Sequence, residues 1–420
     1  MKIILLECKK AVMSPIILAL LLLFTAWNIF QIYDHSKLKE GLDVANELAK
    51  KYGVTFSDES LAKLEEDLKA ELADLNAITE KIDSRTFESA FDFFNQLKFE
   101  DQERYSKNEL HSFYETYVKE MYADMATSMD ADYASFDMKR MGEDEISRFG
   151  LTGAAAETLR KEYAQFADRF EALQANNEHK QWFFAGKQYG MHSLLFRTMF
   201  RSIVIETMIL VVLATAFITN YEFENRTQLV TYATRRGRRF MLDKLVASLI
   251  ATSGITIFLL VVTLSTYFSF FDYSHLWKTA ISSGFNWEFN FPYVSWWNLS
   301  FLNYLVLGIL LFYVCMLLFS AFTFALSVLI KNSYFTFILF AGIFIMLFIV
   351  QSFLPTSSNV MLMAGFNLST LVLNPHQWWM GSSGLTMFKY HELLTVGAWA
   401  VIFAILCVLA LKKFAKQDIS

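Results

Sequence analysis

The sequence predicts an all-α, polytopic membrane protein with about six transmembrane helices and a large helical extracytoplasmic domain between the first and second spans. Three observations support this prediction. The 420 residues are 54% hydrophobic and only 19% charged, which is more apolar than ordinary globular proteins. The chain contains six long apolar stretches. Residues 34–197 hold 33 of the 42 acidic residues but 21 of the 37 basic ones, which indicates different surroundings for two parts of the chain.

Each apolar stretch is long enough to cross a bilayer as a helix. Crossing hydrocarbon about 30 Å thick takes about 20 mostly apolar residues, because the backbone must satisfy its own polar groups. The stretches run approximately over Pro15–Tyr33, Phe200–Asn220, Leu245–Phe268, Phe301–Ile330, Tyr334–Leu354 and Leu393–Leu411. No small-residue cleavage site follows the first, so we interpret it as a retained anchor. Residues 1–33 are predicted to form a surface helix and the first span, and residues 199–420 the other five spans.

The orientation follows from lysine and arginine in short loops, because these residues are retained on the cytoplasmic side. With the N-terminus inside, the inner segments hold 13 basic residues, whereas the short outer loops hold only Lys278 and Lys389. The reverse orientation would export the arginine-rich stretch 235–239. We therefore expect a multi-pass protein of the plasma membrane with both termini cytoplasmic and residues 34–198 outside.

The 34–198 segment has the pattern of a helical bundle or hairpin. One amphipathic helix is indicated by the spacing of Leu61, Leu64, Leu68, Leu72 and Leu75. Ser57 is its predicted N-cap, and Ser106 with Glu109 predicts a capping box that opens another helix. We interpret the aromatic residues, including Phe91, Phe93 and Phe94, as core. The acidic surface is explained by solubility; alternatively, it would attract a cationic substrate or peptide.

Tryptophans are concentrated in the two outer loops. The loop 269–300 contains Trp277, Trp287, Trp296 and Trp297, and the last outer loop contains Trp378 and Trp379. Because such rings favour the headgroup region, we expect both loops to lie on or in the outer leaflet. Contact with an amphipathic substrate is the alternative.

The inner loop 221–244 has an unusual order of residues. Acidic side chains come first, then a short helical segment with Leu229 and Tyr232 on one face, then a run of arginines. Such a segment would lie along the membrane and present a small mixed surface to the cytosol. A protein partner would find a docking surface there.

This loop resembles that of the membrane subunits of ABC-2-type ABC exporters. In that family a glutamate at the end of the second span leads into a short helix, a basic turn and a Lys-Leu pair that opens the third span. The matching residues here are Glu222 or Glu224, then Thr227, Gln228, Leu229 and Tyr232, then Arg235 and Arg236, and finally Lys244. The six-span layout and the N-terminal surface helix are also similar. The resemblance does not extend to the 34–198 domain.

The resemblance implies a permease that pairs with a separate cytoplasmic ABC ATPase subunit, whose ATP-driven dimerisation presses on the residues named above. It also implies a second permease chain, identical or related, within the lipid bilayer. ATP and magnesium would bind the partner subunit. This chain has no Gly-x-x-x-x-Gly-Lys-Ser/Thr loop, so we expect no cofactor in it and do not expect it to be an enzyme. Neither a metal site nor a nucleic-acid partner is predicted.

Polar residues inside the spans are the remaining candidates. Glu206 lies within the second span, where a carboxylate at mid-bilayer would cost about 2.5 to 3.5 kcal/mol on insertion scales. It is predicted to line a substrate path or to pair with Arg201; alternatively, it is hydrated near the outer interface. Asn28 and Asn303 are further candidates for that path, although the role we expect for them is structural, as hydrogen bonds between helices.

The function expected from these features is that of the permease subunit of an ATP-driven ABC exporter that moves a hydrophobic or amphipathic substrate, such as a peptide, a lipid or a drug-like compound, out of the cell. A membrane sensor or immunity protein is the alternative. Its outer domain would bind an extracellular ligand and its inner loop would signal to a cytoplasmic partner.

Overall fold

The structure, a computed structural model, describes residues 2–185, 193–233, 237–288, 291–382 and 384–416. Its first helices are α1 Lys2–Val12, α2 Pro15–Asp34, α3 Lys39–Tyr52, α4 Asp58–Asp83, α5 Ala90–Gln96, α6 Lys107–Ser135, α7 Met138–Arg148 and α8 Gly153–Ala175. After a π-helical turn at Ser193–Met199 come α9 Phe200–Glu224, α10 Gln228–Tyr232, α11 Phe240–Phe270, α12 Phe301–Ile330, α13 Ser333–Ile349, α14 Asn359–Ala364, α15 Leu368–Leu373 and α16 His391–Lys416. A two-stranded hairpin, Trp287–Glu288 with Phe291–Pro292, lies before α12.

Among the described residues, six helices are long and apolar enough to cross a membrane, as the sequence predicts. Spans 1 to 6 cover Pro15–Asp34, Leu194–Glu224, Gly237–Phe270, Phe301–Ile330, Ser333–Phe353 and His391–Lys416. They support a multi-pass membrane protein. Successive spans alternate in direction, so we call the side that carries α1 and α10 the N-terminal face. The side that carries α3 to α8 is the domain face.

Span 2 is the centre of the membrane region. Its apolar window is 72% buried, against 17% for span 1, 11% for span 5 and 22% for span 6. Spans 3 and 4 pack along it, and the hydroxyls of Thr215 and Ser320 lie 2.9 Å apart between spans 2 and 4. The apolar outer faces of spans 1, 5 and 6 are free for lipid or for another protein chain.

Two helices of the domain, α4 and α6, begin where the sequence predicts. Ser57 caps α4 by accepting a hydrogen bond from the Ser60 amide, at 3.3 Å. Ser106 and Glu109 form the predicted capping box at the start of α6, where the Glu109 carboxylate accepts from the Ser106 amide at 2.7 Å. Leu64 and Leu75, two leucines of the amphipathic pattern, are each 1% exposed. Capping and periodicity are local signals, which is why the sequence reveals them.

The domain has two apolar clusters. The larger one continues into the membrane spans, whereas the smaller one lies at the end of the hairpin formed by α4 and α6. The smaller cluster consists of Leu75, Phe87, Ala90, Phe93, Tyr105 and Phe113. We call α5, the 3-10 helix Phe99–Arg104 and the adjoining ends of α4 and α6 the hairpin tip. Phe93 is core as predicted, but Phe91 is 52% exposed, so the prediction was wrong for that residue.

The domain docks on the two loops of its own face. The Arg169 guanidinium binds the Glu178 carboxylate through two hydrogen bonds of 2.9 and 2.6 Å and donates to the Ser295 carbonyl at 3.0 Å. The amide of Thr152, before α8, donates to the Thr356 carbonyl at 3.1 Å. An arginine held by an ion pair inside the domain and a backbone amide therefore donate hydrogen bonds to the loops before spans 4 and 6.

This docking corrects the interpretation of the tryptophans. Trp296, Trp378 and Trp379 are 5%, 2% and 7% exposed, and their rings are covered by protein. The Trp378 indole donates to the Leu371 carbonyl at 2.9 Å, and the Trp296 ring lies against Phe166 of α8, with centroids 5.0 Å apart. Interfacial anchoring was therefore the wrong explanation for these three residues. The covering surface belongs to distant helices, which periodicity does not reveal.

Candidate functional site

The predicted residues Glu222 and Lys244 meet at the N-terminal face. Lys244 is fully buried, one turn into α11, and its ammonium pairs with the Glu222 carboxylate at the end of α9. The same ammonium donates to the carbonyls of Ile218 and Thr219, at 2.5 and 3.2 Å. All three lysine donors are thus used. The ends of spans 2 and 3 are joined by a buried ion pair.

Helix α1 completes this ion pair with two residues that the sequence analysis did not select. Lys10 lies 2.6 Å from Glu7 and 3.4 Å from Glu222, and its ammonium sits 4.4 Å from the centre of the Tyr221 ring. The second Glu7 oxygen is 4.0 Å from Lys244. We call Glu7, Lys10, Glu222 and Lys244 the charge cluster. Two carboxylates face two ammonium groups, so the buried charges balance.

The spacing of Glu7 and Lys10 in α1 is a weak sequence signal for the charge cluster. Glu7 and Lys10 are spaced i, i+3, which places them on one face of a helix, and Glu7 is 3% exposed in an otherwise surface-lying segment. A carboxylate on the buried side of a short amphipathic helix indicates a fixed partner. Lys10 of the same helix is one partner of Glu7, but the members of the charge cluster in spans 2 and 3 are more than 200 residues away in the chain, so the sequence does not identify them.

Helix α10 stands beside the charge cluster with one buried and one exposed side. Thr227 is its N-cap residue, and its amide donates to the Glu222 carbonyl at 2.9 Å. Gln228 opens the helix. Tyr232 is 7% exposed and lies among the rings of Phe223, Phe240 and Phe414, with centroids 5.8, 6.3 and 5.1 Å away. The tyrosine therefore fixes α10 to spans 2, 3 and 6.

The exposed side of α10 is apolar. Leu229 is 59% exposed and Val230 is 76% exposed, although both flank the buried network. A mainly apolar groove with a volume of about 670 Å³ runs between this side and α1. Its apolar lining is formed by Ile3, Leu6, Met13, Val230 and Phe240, and Thr231, Glu7, Lys9 and Lys10 complete it. Two exposed aliphatic side chains beside an apolar groove are typical of a protein contact surface.

Glu224 has a different role from Glu222. Its carboxylate accepts a hydrogen bond of 2.6 Å from the Ser333 amide at the first residue of α13. Asn332 caps the same helix by accepting from the Phe335 amide, at 2.9 Å. A negative charge at a helix N-terminus is favourable, so Glu224 links span 2 to span 5. Arg235 and Arg236 lie outside the described residues.

Asn28 and Glu206 meet within the spans. The Asn28 amide donates to the Glu206 carboxylate at 2.7 Å and to the Thr263 hydroxyl at 3.2 Å. This polar group joins spans 1, 2 and 3. Asn303, by contrast, is exposed in the first turn of span 4, away from that group. The Arg201 side chain is exposed as well, and the Glu206 carboxylate is bound by Asn28.

Within the described residues, no group of three or more His, Cys, Asp or Glu side chains is arranged to hold a metal ion. Comparisons with known protein families, with curated proteins and with solved structures find no match for this chain.

Proposed function

We propose that this chain is the permease subunit of an ATP-driven exporter, in which a separate cytoplasmic ATPase subunit docks on α10. The N-terminal face would then be cytoplasmic and the helical domain extracytoplasmic, in the plasma membrane. The observation that carries the proposal is the arrangement around α10. An exposed apolar side is available to a partner, and the other side is joined to spans 2, 3 and 6 by the rings around Tyr232. The charge cluster beside α10 joins spans 2 and 3 to each other and to α1.

This arrangement is suited to transmitting force. A push on Leu229 and Val230 reaches Tyr232 within one helical turn, and Tyr232 contacts three spans through aromatic rings. Buried ion pairs resist separation because each charge would be left unpaired. Spans 2 and 3 would therefore move together, and Tyr232 would connect that movement to α10. ATP and magnesium would bind the ATPase subunit, and the substrate would be a hydrophobic or amphipathic compound.

The orientation is tested first, in a background without Cys8, Cys315 and Cys407. A cysteine at Val230 should be unreactive toward a membrane-impermeant maleimide in intact cells and reactive after permeabilisation. A cysteine at Ala134, exposed in α6, should react in intact cells. Labelling of Val230→Cys from outside would refute the transporter proposal.

The docking is tested with the complex purified from its native membrane. Leu229→Glu should abolish co-purification of the ATPase subunit, and Tyr232→Ala should lower substrate-stimulated ATP hydrolysis while the subunits stay together. Val360→Glu is the matched control, since Val360 is 55% exposed on the domain face, and it should leave both properties intact. Unchanged ATPase binding and coupling in both α10 variants would contradict the proposal. Co-purification of a kinase instead of an ATPase would favour the sensor alternative.

A further inference from the structure

Glu206 is a buried acidic side chain that no basic residue of the described elements neutralises. Its carboxyl group accepts the hydrogen bond of the Asn28 amide, and no charged side chain of those elements lies within electrostatic range of it. Arg201, in the same helix, is exposed. The carboxylates of the charge cluster, by contrast, face Lys10 and Lys244. An acidic side chain inside a span that lacks a cation is typical of a proton or ion pathway.

A row of hydroxyl groups leads along span 3 from the charge cluster toward Glu206. We call the row the hydroxyl line; it consists of the fully buried Ser248, Thr252 and Thr256. Their spacing of four residues aligns them along α11. The line begins one turn after Lys244, which is paired with span 2, and ends two turns before Thr263, which accepts from the Asn28 amide. From Lys244 to Thr263 the helix rises about 28 Å, so the polar residues extend across most of the hydrocarbon.

The hydroxyl line differs from other hydroxyls of α11 in its hydrogen bonding. Ser253 and Thr266 donate to carbonyls of their own helix at 2.9 and 2.8 Å, which is how a hydroxyl is often satisfied within a helix. Among the described residues, no protein group bonds to the hydroxyls of the line. Thr207 and Asn220 of span 2 are also fully buried and unpartnered. Buried polar groups without protein partners are costly, and water is the partner that such groups take.

The two sides of Glu206 differ in how the spans are joined. One turn nearer the domain face, the Ser202 hydroxyl donates to the Gln31 side chain at 3.3 Å and so links span 2 to span 1. On the other side the hydroxyl line leads to the charge cluster, where Glu7 and Lys10 line the open groove between α1 and α10. Water therefore has an entrance at the N-terminal face.

We propose that Glu206 is a proton-binding site that exchanges its proton with the N-terminal face through water along the hydroxyl line. In the uptake step, a hydronium ion transfers its proton to a carboxylate oxygen of Glu206; an O–H bond forms there and a water molecule remains. Release is the reverse step, and neither direction needs an electron or another reactant. The site requires only the packing of spans 1, 2 and 3, so it is independent of the ATPase partner and of the orientation of the protein.

The proton is tested by infrared spectroscopy of the full chain in nanodiscs at neutral pH. A protonated carboxyl group has a C=O stretch that is separate from the bands of carboxylates and amides. Glu206→Gln should abolish one such band. Glu206→Asp should keep the band at a shifted frequency, which identifies the band if the glutamine variant does not fold.

The route is tested by the rate at which heavy water shifts the same band. Thr252→Val/Thr256→Val should slow the shift several-fold, because valine keeps the shape of threonine but removes the hydroxyl. Thr266→Val is the matched control. It makes the same chemical change on the same helix, at a hydroxyl that bonds to its own backbone, and it should leave the rate unchanged.

Two results would overturn the proposal. Identical carboxyl bands in the unmodified protein and in Glu206→Gln would mean that Glu206 is ionised and binds no proton at neutral pH. Equal shift rates in Thr252→Val/Thr256→Val and in the control would mean that the proton does not travel along the hydroxyl line.

Discussion

The Lys244 ammonium is held by the Glu222 carboxylate and by two carbonyls of the last turns of span 2, and it is fully buried. A buried ammonium that has lost its carboxylate destabilises the fold far more than the intact ion pair does, because water does not replace the lost acceptor. The pair therefore fixes the register of spans 2 and 3 at the N-terminal face, beside the helix proposed to receive the ATPase.

Removing one member of this pair should destabilise the protein strongly. We expect Glu222→Leu to lower the free energy of unfolding by about 3 to 5 kcal/mol, since Lys244 would lose its direct partner and the two ammonium groups would be left with the single carboxylate of Glu7. The unfolding midpoint in detergent measures the effect. Glu222→Leu combined with Lys244→Met removes both charges and should recover at least half of the loss. Additive losses in the double variant would show that the two residues act independently.

The contact between the domain and the last loop of the domain face leads to a second prediction. A Cβ atom added at Gly381 would overlap the ring of Phe166 in α8, whereas a Cβ at Gly397 in span 6 meets nothing within 4 Å. We expect Gly381→Ala to cost about 1 to 3 kcal/mol by overpacking. Gly397→Ala should be neutral or stabilising, because glycine weakens a helix interior.

The unfolding midpoints of the two alanine variants provide the measurement. A smaller ring in Gly381→Ala/Phe166→Leu should restore part of the lost stability, because the added methyl group gains room. If Gly381→Ala is as stable as Gly397→Ala, the domain does not pack on this loop as described.

What the sequence predicts correctly here is local. Hydropathy identifies the six spans, and Ser57 and Ser106 identify the starts of α4 and α6, because a span or a cap depends on residues within one helix or one turn. Glu222 and Lys244 were selected through their place in a loop pattern, and their direct pairing emerges only in three dimensions.

The remaining features depend on contacts between distant segments. Lys10 and Glu222 are 212 residues apart. The loop residue Trp296 is covered by Phe166 of the distant helix α8. No periodicity within a single segment contains that information. The tryptophan pattern is compatible with both a headgroup position and a protein interior, and the docking of the domain decides between them.

The polar contact within the spans allows two asparagines to be compared. Asn28 binds Glu206 and Thr263, whereas Asn303 is exposed. Hydrogen bonds between helices in membranes average about 0.6 and reach about 1.7 kcal/mol. We expect Asn28→Ala to lower the free energy of unfolding by about 1 kcal/mol or more, since it also leaves a buried carboxyl without its donor. Asn303→Ala should be neutral. Equal midpoints for both variants would contradict a stabilising role for Asn28.

The last prediction concerns pH and the turn that follows α8. His179 is buried, with its Nε2 atom 3.0 Å from Asp130, and Glu178 and Lys180 are its charged neighbours. Burial lowers the pKa of the His179 imidazole below its usual value, and Asp130 opposes only part of that effect. Burial alone would raise the pKa of Asp130, but Lys180 and His179 outweigh it and the pKa is lowered.

Both shifts have the same sign for stability. The folded state binds fewer protons than the unfolded state, so stability rises with pH. The contribution of His179 is complete above its usual pKa of about 6.5 and is lost as pH falls below that value, whereas the contribution of Asp130 is lost only below about pH 4. Between pH 7.5 and pH 5.5 the unfolding midpoint of the protein should therefore fall. The midpoint of His179→Gln should fall less, because glutamine keeps a polar group that does not gain a proton in this range. Equal slopes for the two proteins would mean that His179 does not titrate in this range or that its environment does not shift its pKa.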